Sequence, residues 1–196
     1  PAEQVLKLGA EIADALDKAH RAGIVHRDLK PGNIMLAKSG AKLMDFGLAR
    51  TTAPAGSGAS GVSLTGLTQS PTVAQPLTAQ GSIVGTFQYM APEQLEGAEA
   101  DARSDLWALG CVLYEMATGK RAFSGATQAS LISSIMKDQP RPISELQAVS
   151  PPGLDRLVRA CLEKDPDERI QTAHDVKLHL RWITEGGSQA GVPAPV

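Results

Sequence analysis

The sequence lacks an excess of either charge. Lysine and arginine number 19 and aspartate and glutamate 21, a formal net charge of −2 over 196 residues. A basic stripe that would hold nucleic acid or an anionic membrane surface is missing, so neither partner is expected. Long apolar runs are also missing: no stretch reaches the roughly 18 consecutive apolar residues that cross a bilayer. No charged segment followed by an apolar one opens the chain, as a secretion signal would. Cysteine is nearly absent. Cys111 and Cys161 both fall in apolar helical patterns and read as reduced core thiols rather than as a disulfide or a metal pair. There are no internal repeats. The initiator methionine is missing too; helical pattern begins immediately after Pro1, which predicts a piece of a longer protein.

What is present suits one ordinary domain, with 42% hydrophobic residues. Val5, Leu8, Ile12, Leu16 and Ala19 recur at steps of three or four and predict a helix over 2–22, stopped by Gly23. Ile34-Met35-Leu36 and Lys42-Leu43-Met44 flank Ser39-Gly40 and predict a small hairpin. From Thr51 to Ser82 no residue is charged, and Thr, Ser, Ala, Gly, Gln and Pro dominate. Such a segment buries too little apolar surface to offset its ordering entropy, which predicts a loop or insertion over about 51–80. Residues 102–118 are apolar on nearly every side and predict a helix at the centre of the domain. Further helices are predicted at 126–138, 152–163 and 173–184, the last opened by a Thr172/Asp175 capping box. From 185 to 196 Gly, Ser, Pro and Ala predict a linker or tail.

The chemistry concentrates in His26-Arg27-Asp28-Leu29-Lys30-Pro31-Gly32-Asn33, with Asp45-Phe46-Gly47 following across the hairpin. A carboxylate can orient a hydroxyl and accept its proton. An ammonium can neutralise a transferring phosphoryl group. A carboxamide oxygen and a second carboxylate are hard ligands for Mg²⁺. Phosphoryl transfer needs little beyond such positioning and charge neutralisation.

These residues resemble the C-terminal lobe of eukaryotic-type serine/threonine protein kinases, of the kind also found in bacteria. The likeness covers residues 2–184. It rests on His26-Arg27-Asp28 with Lys30 and Asn33, Asp45-Phe46-Gly47, Ala91-Pro92-Glu93, the run Asp105 to Gly110, and Arg169, all in order. It implies a mainly helical α+β fold with a small β-hairpin at the catalytic cleft and no N-lobe. It implies ATP and Mg²⁺ as cofactors and protein substrates as partners. On matching positions, Asp28 becomes the catalytic base, Lys30 a γ-phosphate contact, and Asn33 and Asp45 the Mg²⁺ ligands. Lys30, two residues after Asp28, matches the serine/threonine type.

The resemblance implies further roles. Met35 lies beneath the adenine, backed by Val112 and Met116. His26 and Phe46 join a buried hydrophobic spine. Glu93 and Arg169 form a buried ion pair, and Asp105 bonds the backbone of the catalytic loop. Thr86 bonds the catalytic aspartate and lysine. Arg27 pairs with a phosphorylated residue of the activation segment, for which Ser82 is placed, eleven residues before Glu93; the alternative is that Ser82 is one more serine of a Ser/Thr-rich stretch. His20, His174 and His179 read as surface or packing residues.

Two departures stand out. The glycine-rich loop, the strand lysine and the helix bearing its glutamate partner are missing from this stretch; in the family they precede it. This piece alone is therefore expected to show negligible activity. The activation segment, Asp45 to Glu93, spans 49 residues, well beyond the family's common length, and the excess is the uncharged stretch. A non-catalytic pseudokinase-like module is the alternative reading, disfavoured because every residue facing phosphate or metal is intact. An aminoglycoside-type small-molecule kinase is disfavoured by Ala91-Pro92-Glu93, Thr86 and the run from Asp105 to Gly110. The expected location is the cytoplasm, with or without a membrane tether on the parent protein.

Overall fold

The computed structural model describes residues 2–45 and 87–189, with residues 187–189 as backbone alone. The expectations for Phe46, Ser82, Thr86, the 51–80 stretch and the last seven residues lie outside the described residues. Among the described residues nine elements of regular structure follow one another, with a 3₁₀ turn, Pro31–Asn33, just ahead of the hairpin. They are α1 (Ala2–Arg21), β1 (Ile34–Ala37), β2 (Gly40–Leu43), α2 (Pro92–Leu95), α3 (Ala102–Thr118), α4 (Gln128–Lys137), α5 (Ile143–Leu146), α6 (Pro152–Cys161) and α7 (Ala173–Gln189). The mainly helical α+β character expected from the sequence is what the chain adopts.

Helix α3 is the axis of the fold. Every residue from Ser104 to Tyr114 is buried, because the helix is apolar on all sides and has helices on several faces. Asp101 caps its start by accepting the Arg103 N–H at 2.7 Å. Gly119, at φ +67°, ends it in the left-handed region, where glycine carries no Cβ penalty. Helix α1 packs along α3 and against α7, burying Val5, Leu6, Gly9, Ile12, Ala13 and Leu16. Gly110 brings α3 against α6: a Cβ added there would lie 2.7 Å from Cys161 Cβ and 3.0 Å from Leu162 Cδ2. Cys111 and Cys161 are both free and buried. Burial pushes the Cys161 thiol up to about 12, so it is an inert core group, as expected.

The hairpin pairs β1 and β2 antiparallel, with Ile34 opposite Leu43 and Ala37 opposite Gly40. Glu11 of α1 anchors its turn by accepting the Ala41 N–H at 2.8 Å. Met35, Leu36 and Met44 remain exposed, at 44%, 63% and 37%.

Helices α2 and α5, with four residues each, and the 3₁₀ turn are too short for a 3.6-residue period and were not foreseen. Helix α7 runs to Gln189, through Gly186 and Gly187, where a linker was expected to have begun. A nucleated helix propagates at the cost of one residue's freedom per bond, and a glycine weakens it by only about 1 kcal/mol.

Candidate active site

The loop between α1 and β1 gathers the predicted polar groups. The Lys30 ammonium donates to Asp28 Oδ2 at 2.7 Å. The Asn33 carboxamide N–H₂ donates to the Asp28 carbonyl at 2.8 Å and to Asp28 Oδ2 at 3.1 Å. With both amide hydrogens committed to Asp28, the Asn33 carbonyl oxygen is the end of the side chain left for a ligand. Pro31 and the 3₁₀ turn bend the chain so that Asn33 is buried while Asp28 and Lys30 are half-buried. The Met44 N–H donates to the Asn33 carbonyl at 2.9 Å, carrying the strand pairing one step past the hairpin register. Asp45 therefore leaves the hairpin next to Asn33. It is exposed and sits at φ +57°, a left-handed conformation that costs a non-glycine residue roughly 1–2 kcal/mol.

The loop is pinned from below by Asp105, in the first turn of α3 and 1% exposed. Its Oδ2 accepts the His26 N–H and its Oδ1 the Arg27 N–H, each at 2.8 Å. This is the backbone contact expected of Asp105. The side chain of His26 is completely buried, with Nε2 3.0 Å from the Met44 carbonyl, so it ties the loop to the end of the hairpin. His20 departs from the surface or packing role read for it: its Nε2 lies 2.8 Å from Asp105 Oδ2. A lone histidine in the last turn of a helix carries no sequence signal for a partner 85 residues away.

Arg27 adopts φ +68°, and its carbonyl accepts from Gln94 Nε2 at 3.3 Å. Its Nε and Nη2 are buried without a hydrogen bond among the described residues; the closest charge is Glu99, 3.6 Å from Nη2. Unpaired guanidinium donors of this kind suit an anion. Met35 is 44% exposed on β1, whereas Val112 is buried in α3 and Met116 packs on the core.

The predicted Glu93–Arg169 pair is formed. Arg169 Nη1 and Nη2 donate to Glu93 Oε1 and Oε2 at 2.8 and 3.0 Å. Ser104 Oγ donates to Glu93 Oε1 at 2.8 Å. Burial alone would raise the Glu93 carboxyl, but the Arg169 guanidinium and the neighbouring donors hold it below its ordinary value of 4.5. The guanidinium carbon of Arg169 lies 5.2 Å from the centre of the Trp107 ring. Trp107 in turn stacks on Phe123 at 5.4 Å, and Lys164 Nζ lies 4.2 Å from the Phe123 ring centre. This column of cations and rings, which the sequence did not reveal, ties the end of the activation segment to α3.

Among the described residues no three or more His, Cys, Asp or Glu side chains gather as a protein-only metal centre, and no helix is long and apolar enough to cross a membrane. The oxygen donors present, the Asn33 amide and the Asp45 carboxylate, fit the habit of Mg²⁺, which takes one or two protein ligands and shares the rest with phosphates and water.

A protein kinase domain model matches residues 1–183. The chain is 38% identical over 184 residues to the serine/threonine-protein kinase PknB of Mycolicibacterium smegmatis, covering 93% of this chain and 27% of that protein. It is 36% identical over 185 residues to a probable serine/threonine-protein kinase of Streptomyces coelicolor, covering 94% and 25%. It is 37% identical over 174 residues to a probable PknB of Corynebacterium glutamicum, covering 86% and 24%. The chain thus spans about a quarter of the length of these relatives. The pinned loop, the bidentate Glu93–Arg169 pair and a match along nearly the whole chain agree, and the chain belongs to the protein kinase domain family.

Proposed function

We propose that the protein to which this chain belongs is a serine/threonine protein kinase that moves the terminal phosphoryl group of ATP onto a protein hydroxyl. The single observation that supports it most is the convergence of Lys30 and Asn33 on one oxygen of Asp28, Oδ2, at 2.7 and 3.1 Å. In this reading Asp28 orients the substrate hydroxyl and takes its proton as oxygen bonds to phosphorus. The bond from that phosphorus to the bridging oxygen of ADP breaks, and ADP leaves. Lys30 balances the charge of the transferring group. Asn33 and Asp45 would hold Mg²⁺, which neutralises phosphate charge when bound. Met35 would face the adenine. The glycine-rich loop and strand lysine of a complete kinase would come from residues outside this chain. Catalysis would take place in the cytoplasm, where ATP is available.

Arg27, whose Nε and Nη2 lack a hydrogen bond among the described residues, supports a second element of the reading: a phosphorylated residue of the activation segment, Ser82 by its spacing from Glu93, pairs with it and orders the segment. Ser82→Ala is expected to lower activity, and unchanged activity would remove that element.

The test of the main reading is to express the chain with its natural upstream residues and measure phosphate transfer to a generic basic protein. Asp28→Asn is expected to reduce the rate by roughly 10²–10⁴. Equal rates in the two proteins would refute the role of Asp28.

A further inference from the structure

Helices α6 and α7 leave a groove of about 850 Å³ between them. Leu157 and Ala160 of α6 and Ile183 of α7 line it, with Pro151 and Pro152 at the start of α6. Gly153 lets the two helices approach: a Cβ there would lie 2.8 Å from Ile183 Cγ1. Apart from Met35, Leu36 and Met44 at the hairpin, the large apolar side chains exposed among the described residues are Val149, at 91%, and Trp182, at 57%. Both line this groove. Apolar surface gathered in a concavity marks a binding surface, unlike single exposed residues. His179 Nδ1 donates to the Asp175 carbonyl at 2.8 Å and its ring meets Trp182 edge-on at 5.4 Å, so the indole is braced from its own helix. None of the lining residues belongs to the candidate active site.

The chain itself supplies a segment of matching chemistry. Directly after α7 comes Ala190-Gly191-Val192-Pro193-Ala194-Pro195-Val196, in which no side chain is charged or forms hydrogen bonds. Val192 and Ala194 each precede a proline and are thereby biased to an extended or polyproline conformation. Such segments bind in grooves lined by aromatic rings. Their carbonyls have no internal partner, and the indole N–H of Trp182 can only donate. Position and reach fit as well. His179, Trp182, Ile183 and Gly186 of α7 line the groove at steps of three, one and three, one stripe of the helix, and its next step of four falls on Ala190. The chain therefore leaves α7 on the groove's side. Gly191 can reverse its direction, since glycine adopts positive φ without penalty. From Gln189 back to Trp182 is about 10 Å along the helix, and the residues after Gly191 extend about 15 Å in a polyproline conformation.

We infer that Val192–Val196 folds back onto the groove between α6 and α7 and covers Trp182, so that this segment is a strap on the domain rather than a free linker. The inference does not depend on the kinase reading.

The test uses the protein with its natural flanking residues and with photo-crosslinking benzoylphenylalanine in place of Trp182. After irradiation, digestion and mass spectrometry are expected to find the crosslink on residues 192–196, in a product with the mass of one chain. Val192→Ser, Pro193→Ser and Pro195→Ser together keep the tether's length but remove its apolar face. They are expected to lower the yield about tenfold, the change that 1.4 kcal/mol makes in an equilibrium. Ala160→Glu, which places a carboxylate in the groove and leaves the segment intact, is expected to lower it similarly. If Ala160→Glu fails to fold, the serine variant, which alters no described residue, decides alone. A yield that survives the serine substitutions would mean tethered proximity without docking. A product of twice the chain's mass would assign the groove to a second copy, and one joined to another protein would assign it to a separate partner. Each of these three results, or a crosslink elsewhere on the chain, overturns the inference.

Discussion

Arg169, with a side chain wholly shielded from solvent, holds both oxygens of Glu93 at 2.8 and 3.0 Å. Its remaining donors reach the carbonyls of Glu163, Arg103 and Lys164. Glu93→Ala would leave that guanidinium buried without its counter-charge, and a loss of about 3–5 kcal/mol is expected in a denaturant titration. Glu93 also predicts acid sensitivity. Its carboxyl is held below its ordinary value of 4.5, so its contribution is present above that pH and fades as the pH falls through the lower folded value. Stability of the wild type should fall on acidification below about pH 4.5 more steeply than that of Glu93→Ala.

Lys164 predicts the opposite limb. Its ammonium lies against Phe123 and Trp107 and donates to the Ile135 carbonyl at 2.6 Å. Burial there pushes its pKa from the ordinary 10.5 down to about 8. Between those values the unfolded chain binds more protons, so this group makes the fold more stable as pH rises. The stability of wild type minus that of Lys164→Leu should therefore increase from pH 8 to 10. The slope is at most about 1.4 kcal/mol per pH unit, reduced because water reaches part of the side chain. A flat difference would contradict the assignment.

Helices α1 and α7 share a charged seam. Lys177 Nζ lies 3.2 Å from Asp14 and 3.7 Å from Asp17, Arg21 bonds Asp17 at 2.9 Å, and Lys18 bonds Asp14 at 2.7 Å. Lys18 and Lys177 hold the Asp14 carboxyl below its ordinary 3.8. Burial opposes this at Asp17, where Arg21 and Lys177 still keep it low. Lys177→Met is expected to cost about 1–3 kcal/mol and to raise both carboxyl values toward the ordinary one, as carboxylate titration by NMR would record.

Two close helix contacts should respond differently to one methyl group. At Gly110 the new Cβ would meet Cys161 Cβ at 2.7 Å, an atom fixed to the backbone. At Gly9 it would meet Leu113 Cδ2 at 2.6 Å, the far end of a side chain that can turn. Overpacking costs about 1–3 kcal/mol, and alanine returns about 1 kcal/mol of helix propensity. Gly110→Ala should therefore lower the melting temperature, and Gly9→Ala should lower it less.

Legibility of the sequence followed distance along the chain. Helix α3 was predicted at 102–118 and occupies Ala102–Thr118, because an all-round apolar run closed by glycine leaves little choice. Asp28, Lys30 and Asn33 lie within six residues, so one turn suffices to bring them together. The Asp105 and Glu93–Arg169 contacts were expected only through family resemblance, since no spacing rule joins residues 76 or more apart. His20 was missed for that reason, its partner lying 85 positions on. The stack of Arg169, Trp107, Phe123 and Lys164 was missed likewise. Helix α7 outran its expected end because composition reports glycine's weakness as a helix former but not the momentum of a helix already formed.

The hairpin has a practical bearing on handling this chain. A two-stranded ribbon is marginal on its own, and here three large apolar side chains, Met35, Leu36 and Met44, point to water beside a strand edge with no neighbour among the described residues. Purified without whatever normally roofs it, the ribbon offers a sticky template to other copies. Clumping that eases when upstream residues are restored, or when Leu36 is made lysine, would mark that roof's footprint.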